Sequence, residues 1–330
     1  MHAGPYYSAK EILTWTRRET LIFLIWGSVP PTLAAIGCDF VVLPWPPIAL
    51  LGTAVAFVTG FRGNAAYGRL WEARQIWGAI VNASRTWAVM IRDFVTDAAQ
   101  GAEHRQFVLR HVAWLTALRH QLREQRAWET QNLPFNQEYR AHTFVIPERT
   151  ATLEAELATL LSADELGAVL AKKNRATALL ALQSFELRRV QRDGRVTEFR
   201  HVELMQLIAN LIEQQGKCER IKNFPYPRQF ATLNWFFVWL FILLLPFGVA
   251  TEIKRVAADW LWFTVPVTVV VAWVFHTIDK IGGASENPFE GGPNDVPITA
   301  MSRAIEIDLR DLLNDTELPS PLAPSHNILL

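Results

Sequence analysis

Few side chains in this sequence are both reactive and close enough together to act in concert. Its eight histidines are scattered, and HExxH, GxSxG, a Walker loop and GxGxxG are all absent, so no common local signature of hydrolysis or of nucleotide or dinucleotide binding is present. Cys38 and Cys218 stand far apart without a second Cys or His at ligand spacing. They read as packing residues; no metal site follows, and disulfides do not organise the chain. His276 lies inside a long apolar run with Asp279 and Lys280 just behind it. An ionisable group at membrane depth is a functional candidate, although its place within a turn of the interface favours a structural role. The loop SENPFEGGPNDVP brings Glu286, Glu290, Asn294 and Asp295 together, an oxygen-rich set of the kind that holds calcium. One further pattern is apolar: Thr53, Phe57 and Phe61 recur every four residues, sharing a helix face over about 12 Å. Gly52, Ala56 and Gly60 line the adjacent face, where small residues permit close helix approach, and Leu50 is assigned to a different face from Phe57. No acid, base and nucleophile converge, so there is no catalytic set; the polar motifs flank apolar runs, which favours conduction or transport over catalysis.

Those residues must be positioned by membrane-crossing helices. Charge-free stretches run between Glu19 and Asp39, between Asp39 and Arg62, from Phe230 to Thr251 and from Trp260 to Ile278. Each is close to the roughly 20 residues that cross a hydrocarbon core. Four spans are expected, the first kinked at Pro30 and Pro31 and kept as an uncleaved anchor. Lys10, Arg17 and Arg18 precede the first span, Arg62, Arg69 and Arg74 follow the second, and Lys217, Arg220, Lys222 and Arg228 precede the third. These place both termini in the cytoplasm of a multi-pass protein of the inner, plasma membrane, with Lys254 and Arg255 a minor exception. Trp45, Trp235, Trp260 and Trp262 fall near span ends, as an aromatic belt requires.

The rest of the 330 residues reads as helix. Half of the composition is hydrophobic and 32 basic residues balance 32 acidic ones, so nothing supports nucleic-acid binding. From Arg62 to about Gln229 apolar residues recur at helical spacing, with Ser162 and Asp164 as caps. The stretch from Trp128 to Pro147 reads as a connector, and the tail from Leu318 as an extended terminus that lies along a surface or is disordered. The expected architecture is an all-α integral membrane protein. Residues 1–62 carry the first two spans, 63–228 a cytosolic helical domain, 229–280 the last two spans and 281–330 a cytosolic loop and tail.

Three blocks carry a family resemblance: GFRGNAAYGRLWEARQIWGAIVNASR at 60–85, KCERIKNFPYP at 217–227 and SENPFEGGPNDVPI at 285–298. Standing in this order around the spans, they resemble the bestrophin ion channels, in their bacterial branch, over about residues 10–315. The resemblance implies a homopentamer with one central pore, partnered only by itself, by permeant monovalent ions and by the bilayer, and without a cofactor. It implies that the second span lines a narrow neck at Thr53, Phe57 and Phe61, gated by dewetting, with Thr53 leaving its ring wider and wetter than the usual larger aliphatic residue does. It implies a second, cytosolic constriction, which counting back from Cys218 puts at Val202. It also makes Glu286, Asn287, Pro288, Phe289 and Asp295 the counterparts of a regulatory calcium-binding loop. Here Gly291, Gly292 and Pro293 interrupt the acidic run, which points instead to a structural brace beneath the neck. Asn64, Arg62, Arg69, Trp71, Glu72 and Arg74 follow the neck, with Glu72 expected to pair with Arg69 or Arg62. Pro44, Pro46 and Pro47 open the second span, and five such helix N-termini at the mouth favour anions such as chloride. Phenyl edges turned to the lumen favour anions and phenyl faces cations; a sodium channel of the same architecture is the alternative, ahead of a membrane enzyme or a scaffold.

Overall fold

The computed structural model of the chain describes residues 1–38, 41–97 and 101–330. Among them the β pairing amounts to isolated bridges of Ile328 with His2 and Ser325, and the architecture is helical. α1 (Ala9–Gly27) begins with a reciprocal cap: Ser8 Oγ accepts the Glu11 N–H at 3.2 Å, and Glu11 Oε2 accepts the Ser8 N–H at 2.8 Å. It stops at Ser28, and α2 (Val29–Ala35) restarts with Pro30 and Pro31 in its first turn, where their missing N–H groups have no helical partner to lose. α3 (Trp45–Phe94) then runs 50 residues without a break, about 75 Å at 1.5 Å per residue. It passes straight through residues 62 and 63, where the composition turns from apolar to charged.

The chain continues through α4 (Ala102–Arg123), α5 (Pro134–Thr143), α6 (Leu153–Leu157), α7 (Ala163–Leu170), α8 (Arg175–Arg192) and α9 (Glu198–Asn223). It returns through α10 (Arg228–Val256) and α11 (Thr264–Ala284) and ends in α12 (Ile298–Leu312). Three stretches of the described residues are long and apolar enough to cross a membrane: Trp45–Phe94, Arg228–Val256 and Ala258–Ala284. The expected first span is not among them: the break at Ser28 leaves α2 only 7 residues, and the 19 residues of α1 include the charged Lys10, Glu11, Arg17, Arg18 and Glu19. Asp39, the charge expected to separate the first two spans, lies outside the described residues.

One half of α3 packs with α1, α10 and α11 around Phe23, Ile48, Val55, Val238, Phe241 and Leu245. Gly52 makes this approach possible, since a Cβ there would lie 2.8 Å from the Phe241 ring. The other half packs with α4, α8, α9 and α12 around three fully buried tryptophans, Trp77, Trp87 and Trp114. Trp114 Nε1 donates to Gln215 at 3.0 Å and His111 Nε2 lies 2.8 Å from Ser84 Oγ, whereas the Trp77 and Trp87 indole N–H groups are buried without a hydrogen-bond partner. Burial pushes the His111 pKa down to about 3, so the ring is neutral.

Local details depart from expectation. The supposed connector at 128–147 contains α5 between two 3-10 turns, Thr130–Asn132 and Pro147–Arg149. Ser162 does cap α7, in a reciprocal pair with Glu165, whereas Asp164 sits in the first turn. The tail lies along the surface: Leu330 O accepts the Ala300 N–H at 2.7 Å, and Ile328 and Leu330 pack on Phe144 and Ile146.

Candidate functional site

The outer part of α3 has two faces of opposite character. Ile48, Gly52, Val55 and Thr59 are buried against α10 and α11, whereas Leu50 (73% exposed), Phe57 (65%) and Phe61 (68%) face away from the packed helices. Leu50 therefore shares the Phe57 face: seven residues make 700°, only about 20° short of two full turns. Of the small residues on the adjacent face only Gly52 packs within the chain; Ala56 and Gly60 are exposed. Thr53 is exposed beside Phe57, and its Oγ1 donates to the Ala49 carbonyl at 3.0 Å, so its proton is spent on the helix. The Phe57 and Phe61 rings follow one another at 6.4 Å with a 38° tilt. Nearly two turns on, exposed Tyr67 and Trp71 stack at 6.4 Å.

Directly behind the stripe runs a polar network that local sequence spacing does not reveal. Thr59 donates to Asn234 Oδ1 at 3.0 Å, Asn234 Nδ2 donates to Asp279 at 2.6 Å, and Arg62 donates to the same Asp279 oxygen at 2.5 Å and to Glu286 at 3.3 Å. Arg228 bonds the other Glu286 oxygen. Arg69 donates to the backbone carbonyls of Glu286, Phe224 and Ile221 at 2.8–2.9 Å. The expected pairing of Glu72 with Arg69 or Arg62 is thus replaced: Glu72 pairs with Arg220 on α9. The reason is that each arginine finds a nearly dry partner on α11 or the following loop, where a charged hydrogen bond is stronger than at a wet surface. A signal for this network existed in the sequence, as Asn234 and Asp279 are polar groups set in apolar runs.

The loop after α11 is buried rather than open to ions. Glu286, Asn287, Pro288, Phe289, Glu290 and Asp295 are all covered. Glu290 accepts from the Thr130 N–H at 2.8 Å, its hydroxyl at 2.7 Å and the Gln131 N–H at 3.4 Å. Asp295 Oδ2 accepts from the Gly291 and Gly292 N–H groups at 2.7 and 2.9 Å and faces Arg123 at 3.5 Å. Gly291 sits at φ 92°, and a Cβ there would come within 2.6 Å of Ile146, so the turn needs glycine on both counts. Burial, then the neighbouring Asp295 charge, push the Glu290 pKa up to about 8.

The remaining candidates are dispersed. Val202 is 50% exposed near the start of α9, beside the still more exposed Phe199, and is remote in sequence from the stripe it was to complement. His276 is buried between Phe23 and Trp239, with ring centroids at 5.6 and 5.4 Å. Cys38 is exposed and Cys218 buried, both free. Among the described residues no group of three His, Cys, Asp or Glu side chains is placed to hold a metal.

The Bacterial/Fungal Bestrophin family model matches residues 14–311. The chain belongs to that family. Among its bestrophin relatives, the voltage-dependent anion channel-forming protein YneE of Escherichia coli (strain K12) is 26% identical over 323 residues, covering 98% of this chain and 92% of its own. The voltage-dependent anion channel-forming protein RSc3414 of Ralstonia nicotianae is 29% identical over 283 residues, covering 86% and 82%. A solved bacterial bestrophin homolog from Klebsiella pneumoniae superposes with a TM-score of 0.73 at 26% identity, over 93% of this chain and 99% of that one. Bestrophin membership thus extends over both halves of α3 and the loop that follows α11.

Proposed function

We propose that this chain is the pore-forming subunit of a homopentameric channel for small monovalent ions, favouring anions, with the exposed stripe of α3 lining its neck. The observation that carries this reading is the stripe itself. Leu50, Phe57 and Phe61 are exposed on a helix whose opposite face is fully packed, and Gly60 and Gly68 on the same helix have no atom within 4 Å of an added Cβ. Bare glycine in a helix interior costs about 1 kcal/mol against alanine; close approach by another α3 gives those positions a use. A ring of such helices encloses an apolar constriction that ions cross only when it is wetted. The names of the relatives support the anion preference, as do the helix N-termini that α3 presents beyond Pro44.

In this reading α1 and α2 together make the first crossing, Val202 contributes to a second constriction on the cytosolic side, and the buried loop braces α3 from behind through Glu286, Arg62 and Arg69. Both ends of the chain lie on the cytoplasmic side of the inner membrane, supported by the bond from the Ala3 N–H to Asn327 O at 2.7 Å that holds them together. Reversal potentials of the purified protein in planar bilayers under a potassium chloride gradient test the assignment. A potential near the chloride equilibrium value is expected; one near the cation value gives the same architecture to a cation channel, and no current at all contradicts the reading.

A further inference from the structure

A chamber of about 460 Å³ opens beside the inner end of the helices, its wall apolar over Phe135, Trp235 and Trp239 and charged at Glu19, Arg228 and Lys280. An apolar groove of about 710 Å³ leads away from it between α1 and α10, walled by Ile22, Ile25 and Trp26 on one side and Phe236, Leu240 and Leu243 on the other. Trp235 and Trp239 line both, so chamber and groove adjoin, the chamber forming a head bordered by charged side chains and the groove an apolar stem. From Trp235 to Leu243 the stem is about 12 Å long, close to the depth of one leaflet of a roughly 30 Å core. Trp26 closes its far end by donating Nε1 to the Leu243 carbonyl at 3.0 Å.

The head of the cleft holds polar atoms that the chain leaves without partners. His276 is only 8% exposed and neither ring nitrogen makes a hydrogen bond, Nε2 standing 3.8 Å from Glu19 Oε1; Glu19 Oε2, Trp239 Nε1 and Arg62 Nε are likewise buried and without a hydrogen bond. Such groups cost about 1–3 kcal/mol each when unsatisfied. The charges around them are already balanced: Arg62 is held by Asp279 and Glu286, Arg228 by Glu286, and Lys280 by Glu19 at 2.9 Å. Three cations against three carboxylates leave no surplus charge to draw a simple anion. What is left over is of both kinds, a carboxylate oxygen and N–H donors around a chamber that the Trp239 ring also lines, with the Arg228 side chain 44% exposed at the mouth.

We propose that this cleft binds one phospholipid whose headgroup joins a phosphate to a primary ammonium, as in phosphatidylethanolamine. The ammonium meets Glu19 Oε2 and the Trp239 ring, the phosphate meets Arg228 and the free N–H donors, and one acyl chain lies in the groove. The stem argues for a lipid over a free zwitterion, since a soluble ligand has no use for a groove with almost no polar wall.

Native mass spectrometry of the assembled, detergent-purified protein titrated with dioleoyl phosphatidylethanolamine, phosphatidylglycerol or phosphatidylcholine tests this. Phosphatidylethanolamine is expected to be retained about tenfold more tightly than either other lipid, the worth of one charge-assisted hydrogen bond. Glu19→Gln is expected to erase that preference. Leu240→Trp, which fills the stem from an exposed position and does not touch the head, is expected to weaken retention of phosphatidylethanolamine, and Leu24→Trp on the opposite side of α1 to leave it unchanged. If Glu19→Gln fails to assemble, Leu240→Trp against Leu24→Trp decides. Equal retention of all three lipids, preference for phosphatidylglycerol, or retention unaffected by Leu240→Trp overturns the proposal.

Discussion

Truncating Phe57 to alanine removes an exposed ring without disturbing any contact of the α3 core, so Phe57→Ala is expected to raise single-channel conductance and open fraction. Leu50→Ala is expected to act in the same direction, because Leu50 shares that face. Ile48→Ala is the proper control: its side chain is buried between α3 and α10, and the change is expected to cost about 3 kcal/mol of stability while leaving the conductance of assembled protein unaltered. Recording and thermal unfolding on the same three variants separate wetting from packing. Glu290 sets a different test. Its folded pKa, about 8, lies above the ordinary 4.5, so between those values the native state holds a proton that the unfolded chain has released, and stability falls as pH rises through that window. His111 has the opposite sign, losing stability as pH falls from 6.5 toward 3. Above pH 6.5 the histidine is neutral in both states, so between there and pH 8 the melting temperature of Glu290→Gln is expected to gain relative to that of the parent chain as pH rises.

At the scale of elements, what was legible was whatever leaves a periodic or compositional trace. The absence of charge marks the apolar part of α3, α10 and α11, and four-residue spacing puts Thr53, Phe57 and Phe61 on one side. Leu50 joins that side through a seven-residue repeat, which four-residue spacing does not display. The apolar run of the first span is divided between α1 and α2, because the backbone breaks at Ser28 where Pro30 and Pro31 allow a new start. Partners of Arg62, Arg69 and Glu72 were not legible, since they lie 148 to 224 residues away in sequence, fixed by how helices pack rather than by neighbours along the chain. The loop after α11 was half legible: its glycines signalled a turn, but not that Thr130, Gln131 and Arg123 fill the carboxylates. That filling leads to an expectation about calcium. With Glu290 and Asp295 Oδ2 engaged by the protein, ion flux is expected to differ little between chelator and micromolar calcium. A large reversible activation abolished by Asp295→Ala would show that the loop opens to take the ion.

For the whole molecule, the proposed channel draws one pore-facing helix from each subunit, and a lumen needs several around an axis. Native mass measurement in detergent is expected to give five copies; a stable monomer carrying full ion flux would remove the shared pore. The most direct measurement places a cysteine on the stripe. In a Cys38→Ser background, Phe57→Cys and Val55→Cys are compared in bilayers while a charged thiol reagent is added, Cys218 being buried. Val55 is two residues away on the packed face, so the pair tests orientation at the same depth. The expected result is rapid, irreversible loss of single-channel current in Phe57→Cys and none in Val55→Cys; current through Phe57→Cys that persists after complete modification would contradict a neck lined by this face of α3.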